Sequence, residues 1–328
     1  MRIAVLGAGA WGTALAVALH RAHAVTLWSR AGATCDALFR DRASPYLTGI
    51  AVPPAVTLEP GLARAIANAD LLVVATPTSA LRQTLAAVGA SRTDPDLLFA
   101  CKGFEASTGL LPHAVVSEAL PHARHVGALS GPSFALEVAQ GLPAALTVAA
   151  TDAAFATDTA AALNGPRLRL YSSTDLIGVE IGGALKNVIA IAAGVADGLA
   201  LGRNARAALV TRGLAEIARL GMALGGRPET FMGLTGLGDL VLTCTGDLSR
   251  NRTVGLRLAR GETLGAILGS LGHVSEGVAS ARAAATLAAR HGVDMPITAA
   301  VCRVLFEGEA PARAVENLLA RDPRTESL

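Results

Sequence analysis

The chain is 328 residues long, 16% charged and 3% aromatic, with a formal net charge of +2. That length carries about two domains with sizeable cores. The near-neutral balance and the lack of a basic stripe interleaved with aromatics exclude a nucleic-acid footprint, and a small anionic ligand suits the charge better.

The four cysteines, Cys35, Cys101, Cys244 and Cys302, form no C-x-x-C pair and have no histidine at ligand spacing. This argues against a metal site or disulfide framework and for a reducing compartment. His122 and His125, set among prolines and small residues, read as surface or loop histidines.

The chain opens MRIAVLGAGAWGTALAVALHRAHAVTLWSR. Its uncharged stretch from Ile3 to Leu19, with Ala-His-Ala at 22–24, also suits a secretory leader. The glycines favour another reading. Gly7, Gly9 and Gly12 follow an apolar run and open an apolar helix, with a second strand near Val25 to Trp28. Strand, G-x-G-x-x-G, helix and strand begin a doubly wound, Rossmann-type sheet. There Gly7 lets the chain turn, Gly9 lets the backbone approach a pyrophosphate, and Gly12 lets the helix pack close to the strand. The helix N-terminus faces the phosphates. A glycine-rich turn in an α/β domain without a nucleotide has the same spacing. The second strand ends Trp28-Ser29-Arg30, without the acidic residue that usually holds the ribose of NAD. A hydroxyl and a guanidinium suit a 2′-phosphate, so NADPH is the expected cofactor, with NADH as the alternative. Arg30 equally suits a solvated strand end.

Further strands are expected at Thr57–Glu59, Asp70–Pro77, Asp96–Glu105, His125–Phe134 and Ala144–Ala150, each followed by helix-compatible sequence. Ligands of such sheets bind beyond the carboxyl ends of the strands. Lys102 falls at that end, directly after Leu97 to Cys101. After Leu168 to Asp175 the character changes to helical spacing, as in Leu209, Val210, Leu214, Ile217 and Leu220, with Gly221 and Gly225 ending the run. The expected division is a dinucleotide-binding domain over residues 1–173 and an all-helical substrate domain over 174–328. Later helices are expected around 249–260, 275–291, 298–306 and 312–320, and the final RDPRTESL as a loose tail. No uncharged run reaches a membrane span, so a soluble cytoplasmic protein is expected.

Of the 28 Lys+Arg residues only Lys102 and Lys186 are lysine. A buried ammonium can lose and regain its proton whereas a guanidinium stays charged, which makes such a lysine a candidate for proton chemistry. The alternative is an accident of arginine-rich coding. On a helix Lys186 has Gly182 and Gly183 one turn before it and Ile189 and Ala190 one turn after. A small molecule could approach past the glycines, and the apolar neighbours would lower the lysine pKa towards neutrality. Further on, Asp239 and Thr243 can share a helix face, and Ser249 can cap the next helix so that Arg250, Asn251 and free N–H groups face an anion. A phosphate is the natural guest, although an ordinary N-cap beside exposed arginines has the same spacing.

Six segments, GAGAWGTALA, CKGFE, SGPSFALEVAQGLP, ALKNVIAIAAG, GLGDLVLTCTGDLSRNR and SEGV, stand in this order along the chain. Together they resemble the NAD(P)-dependent glycerol-3-phosphate dehydrogenases of bacteria over essentially the whole chain. The resemblance implies an oxidoreductase that interconverts dihydroxyacetone phosphate and sn-glycerol 3-phosphate by hydride transfer, supplying the glycerol backbone of phospholipids. It implies Lys186 as proton donor and acceptor, and Lys102, Gly131, Ser133, Lys186, Asp239, Ser249, Arg250 and Asn251 as substrate contacts. Asp239 would hold the terminal hydroxyl and Ser249-Arg250-Asn251 the phosphate. Cofactor contacts are implied at Gly7, Gly9, Ala10, Trp11, Gly12, Arg30, Lys102, Ala135, Arg250, Val274 and Glu276, with no metal. Ala10 stands where many relatives carry serine, Leu136 where lysine is frequent, and Ser275 where an aliphatic residue is usual. These departures touch cofactor preference more than reaction.

The expected partner is a small phosphorylated substrate, with no nucleic acid and no stable membrane insertion, and a homodimer is left open. Two rivals remain. One is a two-domain reductase of the β-hydroxyacid or ketopantoate type acting on a carboxylate; the other is a non-catalytic NADPH-binding sensor on the same fold.

Overall fold

The computed structural model describes residues 1–30, 32–92, 94–271 and 275–322. The expected cofactor contact Val274 and the tail beyond Asp322 lie outside the described residues. The chain forms two compact units, Met1–Glu105 with Leu110–Leu176, and Ala106–Gly109 with Ile177–Leu328.

The first unit alternates strands and helices. It begins with β1 (Arg2–Leu6), α1 (Ala10–Leu19), β2 (Ala24–Trp28), α2 (Ala33–Asp41), β3 (Thr57–Glu59), α3 (Leu62–Ile66), β4 (Leu71–Val74), α4 (Thr78–Gly89) and β5 (Asp96–Phe99). It continues with α5 (Pro112–Ala119), β6 (His125–Ser130), α6 (Ala135–Ala139), β7 (Ala144–Ala150), α7 (Ala153–Leu163) and β8 (Leu168–Ser173). The strands form one sheet in the order β3-β2-β1-β4-β5-β6-β7-β8. Strands β1 to β6 run parallel, β7 pairs antiparallel with β6, and β8 is parallel to β7. Order reverses between β1 and β4, and ligands of doubly wound sheets bind in that crevice.

Ile3 to Leu6 and Leu71 to Val74 are buried along their whole length. Helices cover both faces of such a sheet, which explains apolar runs without alternation. The stretch that also suited a secretory leader is built into this core through Ile3, Val5, Leu15 and Leu19. The strands expected over Asp70–Pro77, Asp96–Glu105 and His125–Phe134 end sooner, at Val74, Phe99 and Ser130. Pro77 has no N–H to pair, and Gly103 and Gly131 turn the chain with φ of 116° and 134°. His122 is exposed, but His125 is not a loop residue. It opens β6 opposite Asp96 of β5, with Nδ1 3.0 Å from Asp96 Oδ1 and its ring stacked on Phe155 at 5.1 Å between centroids.

The second unit is helical. Its elements are α8 (Leu176–Gly198), α9 (Gly202–Ala223), α10 (Pro228–Met232), a π-helical turn (Leu234–Gly238), α11 (Asp239–Thr245), α12 (Arg250–Ala259), α13 (Leu264–Leu271), α14 (Glu276–Arg290), α15 (Pro296–Phe306) and α16 (Pro311–Leu319). Helix α8 is long and apolar enough to cross a membrane, but 89% of its most apolar window is buried inside the protein. Its Val188 and Ile191 pack with Val254, Leu258, Ile267 and Val301. A helix apolar all round is at home in such a core.

Gly221 does not end α9. A Cβ there would lie 2.0 Å from the Phe231 ring, so Gly221 is a packing glycine, and the turn comes at Gly225 with φ 97°. The start of α15 is capped by another helix: Glu216 of α9 accepts from Ile297 N at 2.6 Å, Thr298 N at 3.1 Å and Thr298 Oγ1 at 3.0 Å. Burial outweighs these bonds and pushes the Glu216 carboxyl up to about 7.

Candidate active-site residues

In the first unit the turn after β1 shows why three glycines are needed. Gly7 has φ 116°, and a Cβ there would press within 3.0 Å of Ala75 O and Thr76 N. At Gly12 a Cβ would sit 1.9 Å from Gly7 O, so α1 closes directly onto the turn. Gly9 is different, because a Cβ there would meet nothing within 4 Å. Gly9 also heads α1 without a side-chain cap, which leaves the first-turn N–H groups for a guest. An open approach, a tight turn and uncapped amides fit a dinucleotide pyrophosphate.

Ala10, Trp11 and Ala135 come together around the small cluster of Ala14, Leu47, Val138 and Ala139. At the end of β2 Ser29 is buried, with Oγ 3.4 Å from Arg30 O. Arg30 is exposed and has no side-chain partner among the described residues. The guanidinium rather than the hydroxyl is therefore the group presented there. Lys102, Gly131 and Ser133 meet at one carbonyl: Lys102 Nζ donates to Gly131 O at 3.3 Å and Ser133 Oγ donates to the same oxygen at 3.1 Å. Thr78 Oγ1 secures the loop by donating to Lys102 O at 3.0 Å.

In the second unit Lys186 lies in the middle of α8, buried, and its ammonium contacts the buried carboxylate of Asp239. Asp239 is the first residue of α11, delivered by the π-helical turn. Thr243, one turn on, donates to Asp239 O at 2.6 Å and lies 3.4 Å from Asp239 Oδ1. Two expectations for this lysine change. Its surroundings are not simply apolar, because a carboxylate sits on it. Nor does Gly182 open a path to it: a Cβ there would lie 2.6 Å from Thr235 O, so the missing side chain lets α8 touch the π-helical turn. Nearby Cys244 is pushed up to about 12 by burial, against the opposing charge of Lys186, and stays a thiol.

Ser249 caps α12, its Oγ accepting from Arg252 N at 3.3 Å. Arg250 is exposed and without a side-chain partner among the described residues, whereas Asn251 is tied in on three sides. Its Nδ2 donates to Asn187 Oδ1 at 2.9 Å, and its Oδ1 accepts from Ser275 Oγ at 2.5 Å and Gly277 N at 3.1 Å. What Asn251 can offer an anion is its backbone N–H at the start of α12 and the second N–H of its side-chain amide. Glu276 begins α14 beside this knot. Sequence reasoning missed Asn187, the residue after Lys186, as the link between lysine and corner; its polarity within an apolar run was the available signal.

A pyrophosphate-type turn on a doubly wound sheet, with a helical unit built round a buried lysine–carboxylate pair and a capped arginine corner, defines a two-domain nicotinamide-dependent dehydrogenase. The model of the NAD-dependent glycerol-3-phosphate dehydrogenase N-terminus matches residues 2–156, and that of the C-terminus matches residues 175–316. The glycerol-3-phosphate dehydrogenase [NAD(P)+] of Thiobacillus denitrificans is 57% identical over 327 residues, covering 99% of this chain and 100% of that protein. The crystal structure of glycerol-3-phosphate dehydrogenase from Coxiella burnetii superposes with a TM-score of 0.93 at 38% identity, covering 98% of this chain and 99% of that one. The chain belongs to the NAD-dependent glycerol-3-phosphate dehydrogenase family. A ketopantoate reductase from Ralstonia eutropha, with a TM-score of 0.59 at 16% identity over 96% of this chain and 100% of that one, shares the fold alone.

Proposed function

We propose that this protein interconverts dihydroxyacetone phosphate and sn-glycerol 3-phosphate with NAD(P)H. The observation that carries the reading is the buried Lys186–Asp239 pair, one residue from the Asn187–Asn251 link to the Ser249-Arg250-Asn251 corner. An amine able to move a proton and a seat for a phosphate are thus built into one unit.

Bound NADPH, or NADH in its place, supplies a hydride to the carbonyl carbon. As negative charge grows on the carbonyl oxygen, the Lys186 ammonium stabilises it and delivers a proton, help that is commonly worth about 10² to 10⁴ in rate. Asp239 orients the ammonium. Once the proton has gone, the buried carboxylate lacks its counter-charge, which favours recapture of a proton by the amine. In the oxidative direction the amine accepts the hydroxyl proton. Asp239 also holds the terminal hydroxyl, while Ser249, Arg250 and the first amides of α12 hold the phosphate. Lys102, placed with Gly131 and Ser133, adds positive potential to the substrate.

Gly7, Gly9, Ala10, Trp11, Gly12 and Ala135 seat the dinucleotide, Arg30 binds the 2′-phosphate, and Arg250 and Glu276 add contacts. Residues 1–173 serve as the dinucleotide-binding domain and 174–328 as the substrate domain. A cytoplasmic role in supplying glycerol phosphate for phospholipids completes the reading.

The test is NADPH oxidation by the purified protein with dihydroxyacetone phosphate, with a carboxylated ketone and with neither, repeated with NADH. Oxidation that depends on the phosphorylated ketone supports the proposal. No oxidation, or preference for the carboxylated ketone, overturns it.

A further inference from the structure

Two arginines in the first turn of α12 are treated in opposite ways. Arg250 is exposed and without a side-chain partner among the described residues. Arg252 is 13% exposed at its side chain and held by two carboxylates, its Nε donating to Asp197 Oδ2 at 2.8 Å and its Nη1 to Asp247 Oδ1 at 3.0 Å. Asp197 lies near the end of α8 and is itself 15% exposed, with Arg206 of α9 donating to both its oxygens at 3.2 and 3.1 Å. Asp247 is 97% exposed, so the Asp197 contact carries the anchoring.

The backbones meet at the same place. A Cβ at Gly194 would fall 2.0 Å from Arg252 O, and one at Gly255 would fall 2.0 Å from Ile191 O. Helices α8 and α12 therefore touch main chain to main chain, and the Arg252–Asp197 pair fastens the end of that crossing. Helix α8 carries Lys186 and α12 carries the corner, so this crossing fixes how far the proton donor stands from the anion seat.

We propose that Arg252 is a positioning residue: through Asp197 it holds the first turn of α12, and thereby Arg250 and the first amides, where a substrate phosphate is received. This rests on the reading of the corner given above. An arginine suits the task because Nε and Nη1 act together as a fork, which a lysine point charge cannot reproduce.

The experiment measures KM, kcat and NADPH affinity for Arg252→Ala, Arg252→Lys, Asp197→Asn, Arg250→Ala and the double variant Arg250→Ala with Arg252→Ala. Arg252→Ala should raise KM for dihydroxyacetone phosphate about 10- to 100-fold, the upper part of the range of coupling within one ion-pair network. Its kcat at saturating substrate should stay near wild type, and any loss of NADPH affinity, which would pass through the Arg250 contact, should not exceed that of Arg250→Ala. Arg252→Lys should be intermediate, and Asp197→Asn should move KM in the same direction. The double variant should lose less than the sum of the two single losses, because the part of Arg252's effect that passes through Arg250 is already gone while the part that passes through the amides remains.

Fully additive losses would mean that Arg252 touches phosphate itself and would overturn the proposal. Equal losses in kcat and NADPH affinity would mean general disruption and would also overturn it. A raised KM in Arg250→Ala beside a normal one in Arg252→Ala would overturn this inference alone. A normal KM in Arg250→Ala would overturn the corner reading and this inference with it. Should Arg252→Ala fail to fold, Arg252→Lys and Asp197→Asn decide by the same split.

Discussion

An open glycine at the first unit's turn contrasts with filled ones in the second, and Gly12 beside it is filled too, by Gly7 O at 1.9 Å. At Gly9 in the first unit the space of a missing side chain stays open, with nothing within 4 Å of where a Cβ would be. At Gly182, Gly194 and Gly255 in the second, that space is filled by the backbone of another segment, at Thr235, Arg252 and Ile191. One use leaves a seat for a ligand. The other closes a core tightly enough to bring buried charges face to face. The turn after β1 thus presents backbone to its guest, whereas the Lys186–Asp239 pair presents side chains whose positions depend on packing far from them.

That contrast can be broken or sharpened by experiment. A unit built round buried charge should respond to pH, and Glu216 is where the effect should be largest. Its carboxyl rises from 4.5 to about 7 on folding, mainly through burial. Between those values the folded chain keeps a proton that the unfolded chain has lost. Stability is therefore fully present below the unfolded pKa and falls as pH rises through about 7, by about 3 kcal/mol. Thermal melts from acid to mildly alkaline pH should show this decline, and Glu216→Gln should flatten it. An unchanged slope in the variant would remove Glu216 as its source.

Gly182→Ala comes next. Its Cβ would meet Thr235 O at 2.6 Å and shift the π-helical turn that delivers Asp239. Misplacement of that kind should lower kcat about 100-fold, while titration with NADPH stays normal. Gly12→Ala should do the reverse, weakening NADPH about 10-fold or more by crowding Gly7, with the helical unit intact. If both variants lost cofactor affinity alike, the division of cofactor seat and proton chemistry between the two units would fail. The smallest effect is expected at the exposed Arg30, where Arg30→Ala should weaken NADPH by a few-fold and leave NADH unchanged. Equal losses for the two cofactors would dispose of the 2′-phosphate contact.

What could be read from the sequence follows the reach of each interaction. The strands Thr57–Glu59 and Ala144–Ala150 were legible to the residue because apolar content and bounding turns are local signals. Ser249 was legible as a cap because its bond spans only three residues. The Lys186–Asp239 pair spans 53 residues, the Asn251–Asn187 bond 64 and the Arg252–Asp197 pair 55. No periodicity reports such pairings. Gly182 was misread for the same reason: spacing along α8 shows a gap beside the lysine but not the backbone that fills it. The π-helical turn was invisible too, since its Leu-Thr-Gly-Leu-Gly reads as a loop between helices.

The central claim is that Lys186 moves the proton while Asp239 holds it in place. Its most direct test is turnover of Lys186→Arg, measured beside NADPH binding by the same protein. Arginine keeps the charge but cannot hand over and retake a proton, so kcat should fall by about 10² to 10⁴ with cofactor affinity preserved. Turnover near that of the unaltered enzyme, with NADPH still bound, would contradict the account.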